Sequence, residues 1–309
     1  MRSIQTTMLL LILALNGTNN VMSQNSAQMK TVIQSVVFIY DVKSKPCEPP
    51  PPNQLLLPAG SGFVVGLAKK SSTKEKWEGW KFVITTEHVI ANRDAVILRL
   101  NHKDKPEFVC YPVTLERSGN NQNVFSSAKQ EIDLVAIYIP HISEADPAVF
   151  DYSLTMSKTM VDATEVRVGT DVFMVGYLYG YSGNKQNYPV IRFGKIALMT
   201  EETWYPSQRK LNEQAYLVEI QSTPGLSGAP VILQSYQYRI NDKREFQSRL
   251  MPPYIFGVNK GVLLLPKELG GTQGLAAVEP GYNLQDLMKS IANRLISQGQ
   301  DVILESPKD

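Results

Sequence analysis

The stretch STPGLSGAPVIL, Ser222 to Leu233, decides how this chain is read. One hydroxyl, that of Ser227, stands among Pro224, Gly225 and Gly228 just ahead of an apolar run. Small residues with free φ suit a backbone bent to present a hydroxyl and to aim amide N–H groups at one point. The same residues also build an ordinary turn before a strand. The rest of the chain has to separate the two readings.

A serine hydroxyl is a poor nucleophile until a base takes its proton and a third group holds that base in the right tautomer. The chain has 3 histidines. His88 closes the apolar run KFVITTEHVI, whereas His102 and His141 lie in the polar segments NHKDK and PHISEAD, which read as solvated loop. Asp133, in EIDLVAIYIP, directly precedes a continuous apolar run. A carboxylate buried there needs a strong hydrogen-bond partner, and a histidine Nδ1–H would supply one. A strand-starting Asp exposed to water is the alternative. The order is His88, Asp133, Ser227.

Around these residues the pattern is of short β-rich runs separated by polar loops. Strands are expected at 31–42, 60–67, 80–90, 94–100, 108–116 and 133–140. In the second half they are expected at 170–180, 188–199, 215–221, 229–236, 254–265 and 274–280. Two sets of strands without regularly alternating helices argue for two antiparallel barrels or sandwiches, not a parallel α/β sheet. The boundary falls near 141–165, giving an N-terminal unit over 31–145 and a C-terminal unit over 160–300. A site built from His88, Asp133 and Ser227 would then form only where the halves meet, a usual place for a ligand. EPPPPNQ (48–54) reads as an exposed extended loop and KKSSTKEKWEG (69–79) as a hairpin tip. At the C-terminus, Leu284, Leu287, Ile291 and Leu295 have helical spacing, with Asn283 as the cap, and this helix should pack on the core.

Composition narrows the function. With 309 residues, 43% of them hydrophobic, the chain can bury a large core. Lys+Arg total 31 against 29 Asp+Glu, so the basic signature of a nucleic-acid binder is missing. Arg2 followed by the apolar run Met8–Leu15 fits a secretory signal over residues 1–23, too short to span a membrane. An exported chain, periplasmic or extracellular, is expected. In an oxidising compartment Cys47 and Cys110 could pair, and two unpaired thiols are an equal alternative. Neither their number nor their spacing supports a metal site.

Taken in order, GSGFVV, VITTEHVI, IDLVAIYI, VFMVGYLYG, RFGKIALM, TPGLSGAP and IFGVNKGV resemble the landmarks of the chymotrypsin-like (trypsin-like) serine peptidases, and more closely of their HtrA/Deg-type branch. The resemblance covers roughly 31–295. A match to G-x-S-G-x-P alone would arise by chance roughly 0.005 times in a chain of this length, from average Gly and Pro usage. It implies an all-β fold of two six-stranded antiparallel β-barrels of the chymotrypsin type, the active site between them, and a C-terminal α-helix. It also implies a serine endopeptidase, with a catalytically silent binding module of the same fold as the alternative. Ser227 becomes the nucleophile, His88 the general base and Asp133 its orienting carboxylate, with the N–H groups of Gly225 and Ser227 as oxyanion hole.

The family pattern is not kept everywhere. Leu226 stands where digestive members have the Asp that receives a freed N-terminus, which argues against activation of that kind; the Deg-type branch lacks that Asp too. Gln221 falls at the base of the expected substrate pocket, and its lack of charge argues against Lys or Arg specificity. Lys260 falls near the orienting Asp, where the family has a small hydroxyl residue; there it could crowd the cleft or favour an acidic substrate side chain. No PDZ module is expected. The resemblance implies a protein or peptide substrate and no metal or organic cofactor; the charge balance argues against nucleic acid, no integral membrane segment is expected in the mature chain, and the oligomeric state is left open with a monomer favoured.

Overall fold

The computed structural model describes residues 28–48, 56–72, 78–163, 166–206, 212–233, 236–240, 246–250, 252–264 and 272–304. The expected signal over 1–23, most of the Pro-rich segment and the tip of the 69–79 hairpin lie outside them.

A helix, α1, covers the described residues 28–35. The first sheet is built from β1 (Val36–Asp41), β2 (Gly60–Ala68), β3 (Gly79–Thr85), β4 (Ala95–Asn101), β5 (Phe108–Thr114), β6 (Val124–Ser126) and β7 (Val135–Ile139), with β8 (Phe150–Asp151) alongside β2. Its order is β5-β4-β1-β2-β3-β7-β6, and this hydrogen-bonded path stays open between β5 and β6. One turn of helix, α2 (Glu87–Ile90), follows β3. After α3 (Lys158–Ala163) comes the second sheet. It contains β9 (Asp171–Gly176) and β10 (Val190–Leu198), then a hairpin of β11 (Thr203–Pro206) and β12 (Asn212–Gln214), then β13 (Tyr216–Glu219) and β14 (Pro230–Leu233). A second hairpin of β15 (Tyr236–Ile240) and β16 (Phe246–Leu250) precedes β17 (Tyr254–Leu264) and β18 (Thr272–Pro280). Strands β10-β13-β18-β17-β14-β9 close into a barrel, and α4 (Gly281–Ser297) ends the fold. This is an all-β, chymotrypsin-like fold, in the form of one closed six-stranded barrel and one half-barrel sheet where two six-stranded barrels were expected, because the path of the first sheet does not close between β5 and β6.

The twelve expected strands are all present, with three differences of detail. The segment 31–35 is helical, because Val32 and Val36, four residues apart, both point into the core, and the Ser35 hydroxyl donates to Val32 O at 2.7 Å. The run 80–90 is a strand only to Thr85, so His88 sits on α2 and not at a strand end. Asn283 does not cap α4, whose N-cap is Pro280; its amide donates to Glu279 Oε1 at 2.6 Å.

The two sheets share a core. Phe38 and Phe63 from the first pack with Phe173, Val175, Tyr177 and Ile255 from the second, and Leu284, Leu287 and Ile291 of α4 close the same cluster. The Phe38 and Tyr177 rings meet edge to face at 5.5 Å. Burial of β2 at every position explains why its sequence is a continuous apolar run instead of an alternating one. On the outer side, Cys47 and Cys110 form a disulfide with their Cα atoms 6.2 Å apart, tying the segment after β1 to β5.

That bond closes a loop with a sequence separation of 63. On loop-closure entropy it should contribute about 4 kcal/mol. Replacing both cysteines by Ser should lower the urea midpoint by a corresponding amount, and an unchanged midpoint would show that the bond contributes nothing.

Candidate active site

The chain enters α2 through Thr86 in an extended conformation, and the turn that follows presents His88. Across from it the polypeptide reaches β7 through Asp133, which is only 2% exposed. His88 Nδ1 lies 2.6 Å from Asp133 Oδ2, and the His88 main-chain N–H donates to Asp133 Oδ1 at 3.1 Å. The carboxylate therefore grips both the ring and the backbone of the same residue. A ring so held turns its Nε2 away from Asp133.

Ser227 lies on the turn before β14. Gly225 and Gly228 have φ of +91° and +85°, the left-handed region where a side chain is strained. Both are also closely packed: a Cβ on Gly225 would stand 2.5 Å from the Tyr177 ring, and one on Gly228 would collide with Ser61 O and Thr85 Oγ1. The Leu226 N–H donates to Thr223 O, and the Gly228 N–H to Asn259 O at 2.8 Å. The N–H groups of Gly225 and Ser227 have no acceptor among the described residues. Both donors lie on the turn that carries the Ser227 hydroxyl.

The two halves are pinned together by Ser61, at the start of β2. Its N–H donates to Ser227 O at 2.8 Å and its hydroxyl to Gly225 O at 2.7 Å; the hydroxyl oxygen accepts the Tyr177 N–H at 3.2 Å. Its carbonyl accepts the Thr85 hydroxyl at 2.8 Å. A Cβ on neighbouring Gly60 would stand within 2.8 Å of both Ser227 O and the side chain of Val89, so α2 and the Ser227 turn flank one backbone strand. His88, Asp133 and Ser227 thus come to the same junction. Among the described residues, however, the Ser227 hydroxyl hydrogen-bonds to Lys260 O, at 3.3 Å, and not to the His88 ring.

Gln221 is exposed, and its Oε1 accepts from Arg192 Nη1 at 3.2 Å. Lys260 is placed otherwise than its expected position in the cleft. The pairing of β17 with β18 slips by one residue between Asn259 and Gly261, so Lys260 forms a bulge, a feature that re-aims a side chain. Its side chain is 1% exposed, and Nζ lies 2.9 Å from Glu279 Oε2 and 2.5 Å from Glu213 Oε2, donating also to Gln214 O at 3.1 Å. Lys260 therefore lies under the junction, not in the cleft.

Glu279 connects this cluster to the histidine. The same Oε2 accepts the Asp133 N–H at 3.1 Å. Burial pushes the Glu279 carboxyl above its ordinary value, against the pull of the Lys260 ammonium and the hydrogen bonds from Asn283 and Asp133.

Sequence reasoning did not single out Ser61, Asn259, Glu213 or Glu279. Asn259 holds the Ser227 turn from behind, its Nδ2 donating to Leu226 O at 2.8 Å and Ser222 Oγ at 3.1 Å. Ser61 and Asn259 sit inside the landmarks GSGFVV and IFGVNKGV, which is the one signal that marked them.

No family model matches this sequence, and no curated protein matches it. Solved structures are similar to it. The apo protease domain of MamO from Magnetospirillum magneticum aligns at 14% identity over 72% of this chain and 93% of that one, with a TM-score of 0.38. The HtrA-type protease AlgW with decapeptide aligns at 18% identity over 88% and 67%, with a TM-score of 0.48. A mutant of human heparin binding protein aligns at 11% identity over 85% and 93%, with a TM-score of 0.47.

Ser61→Ala removes one donor and one acceptor from a buried junction and leaves Gly225 O and the Tyr177 N–H unpaired. Each such group costs about 1–3 kcal/mol. Chemical denaturation should show a loss of about 2–6 kcal/mol on that basis; a loss below the uncertainty of the measurement would mean that water replaces the hydroxyl.

Proposed function

We propose that this chain is a serine endopeptidase that cleaves protein or peptide substrates through an acyl-enzyme, with neither metal nor organic cofactor. The observation that carries the reading is the 2.6 Å contact of His88 Nδ1 with Asp133 at the junction where the Ser227 turn is pinned. In this reading His88 Nε2 takes the Ser227 proton as the hydroxyl attacks the scissile carbonyl, and returns it to the leaving amine. Asp133 fixes the tautomer and stabilises the imidazolium. The free N–H groups of Gly225 and Ser227 stabilise the oxyanion, each donor being worth about 2.7–4 kcal/mol in such sites.

The likeness to the HtrA/Deg-type branch, the units over 31–145 and 160–300, and export after removal of residues 1–23 belong to this proposal. Among the described residues no helix is long and apolar enough to cross a membrane. The second reading is a catalytically silent binding module of the same fold. The Ser227 hydroxyl bonded to Lys260 O favours it, although catalytic hydrogen bonds are often loose in unliganded sites.

A fluorophosphonate, which reacts only with an activated serine, separates the two. Intact mass should show one adduct on the wild type and none on Ser227→Ala. Asp133→Asn, which upsets the tautomer while keeping the shape, should slow labelling on the order of 10³-fold or more. Equal labelling of wild type and Ser227→Ala, or labelling of neither, would overturn the enzyme reading.

A further inference from the structure

The buried cluster beneath the junction holds charge that neither the fold nor the proposed chemistry explains. Glu213 and Glu279 are fully buried, and Asp133 nearly so, yet a buried carboxylate is tolerated only with a counter-charge or strong donors. Lys260 supplies the cation for the two Glu residues. Its placement required a bulge in β17 and, on the opposite side, a hairpin whose strand β12 brings in Glu213 and Gln214 O. Two separate structural elements thus converge on one ammonium.

The ammonium is not isolated from the reacting groups. Glu279 Oε2 accepts from Lys260 Nζ and from the Asp133 N–H, Asp133 holds His88 by ring and backbone, and the Lys260 carbonyl accepts the Ser227 hydroxyl. Following these contacts from Ser227 through Lys260, Glu279 and Asp133 leads to His88. We propose that Lys260 is a positioning residue for this site: through Glu279 it fixes the Asp133 main chain that orients His88, and through its carbonyl it parks the Ser227 hydroxyl. The inference rests on the serine-hydrolase reading for its effect on rate, but not for its effect on the His88–Asp133 hydrogen bond.

Other charged groups face the cluster weakly. The Tyr205 ring lies 5.8 Å from Lys260 Nζ, and burial raises its phenol above the usual value, so it stays neutral. On α2, Glu87 pairs with Arg117 at 2.6 Å on the outer side. The balance is therefore set by Asp133, Glu213, Glu279 and Lys260.

The test uses Lys260→Met, Glu279→Gln, Glu213→Gln and the pair Lys260→Met with Glu213→Gln, which restores the cluster's net charge. Each is checked for folding by its thermal melt. Two quantities are read: the fluorophosphonate labelling rate, and, in a Ser227→Ala background, the downfield proton NMR signal of the His88 Nδ1–H bonded to Asp133.

Lys260→Met should label at least about tenfold more slowly and shift or broaden the proton signal, since a buried like-charge imbalance disturbs the carboxylate's geometry. Adding Glu213→Gln should restore both to within about threefold and near the wild-type shift; simple packing would not be rescued by a change at Glu213. Because Glu279 accepts the Asp133 N–H directly, Glu279→Gln should be more damaging than Glu213→Gln, and this comparison stands even if Lys260→Met does not fold. Wild-type rate and signal in Lys260→Met, no rescue by Glu213→Gln, or equal effects of the two Glu variants would overturn the inference. If the wild type is not labelled at all, the enzyme reading fails, while the proton signal still decides the role of Lys260.

Discussion

The four hydrogen bonds of Ser61 are the constraint on which the rest of the site depends. His88 and Asp133 lie on segments that join strands of the first sheet and Ser227 on the turn before β14 of the second, so no local feature of either half sets their relative position. Ser61 does, by bonding the main chain of the Ser227 turn on one side and Thr85, two residues before α2 begins, on the other. The glycines around it follow from this closeness. Side chains at Gly60 or Gly176 would run into Ser227 O or into Leu226 and the Ser61 hydroxyl. The first two glycines of the expected strand GSGFVVGL are there because that strand is pressed against another backbone.

A second constraint is electrostatic. The junction buries three carboxylates and one lysine ammonium, an arrangement that costs desolvation for each charge and is stable only while every one is paired or hydrogen-bonded. The excess is negative. The Asp133 carboxylate at the edge of this cluster is the one that holds the His88 ring and backbone. Stability and chemistry therefore pull on the same charges.

Much of this was legible in the sequence. The period and spacing of apolar runs located the six strands of the barrel and the longer strands of the first sheet but not the short β6 and β8, and the Gly-Leu-Ser-Gly turn marked the hydroxyl, because these are signals carried by a few consecutive residues. Lys260 was given its expected place by its position along the family landmark IFGVNKGV, and a position counted along a landmark assumes an unbroken pairing register. One extra residue in β17 sends its side chain to the other face. Glu213 and Glu279 carried no local mark either; their meaning lies in contacts with residues far away in the chain, and a charged residue in a strand otherwise reads as solvated. Asn283 reads as a helix cap by its position, but the carboxylate it bonds is supplied by the end of β18.

The resting position of the Ser227 hydroxyl bears on how this geometry is interpreted. A single neutral hydrogen bond contributes about 1 kcal/mol net, and this one is long. A serine side chain moves between staggered wells on a picosecond to nanosecond scale, far faster than any enzymatic turnover. The hydroxyl's hold on Lys260 O is thus a ground-state preference that substrate binding can reverse at little cost. The positions of His88 Nδ1, Asp133 and the Gly225–Ser227 backbone cannot adjust so easily, since they are fixed by buried bonds from several strands. The rigid parts of the junction are those that a transition state would need in advance, and the mobile part is the one that has to move.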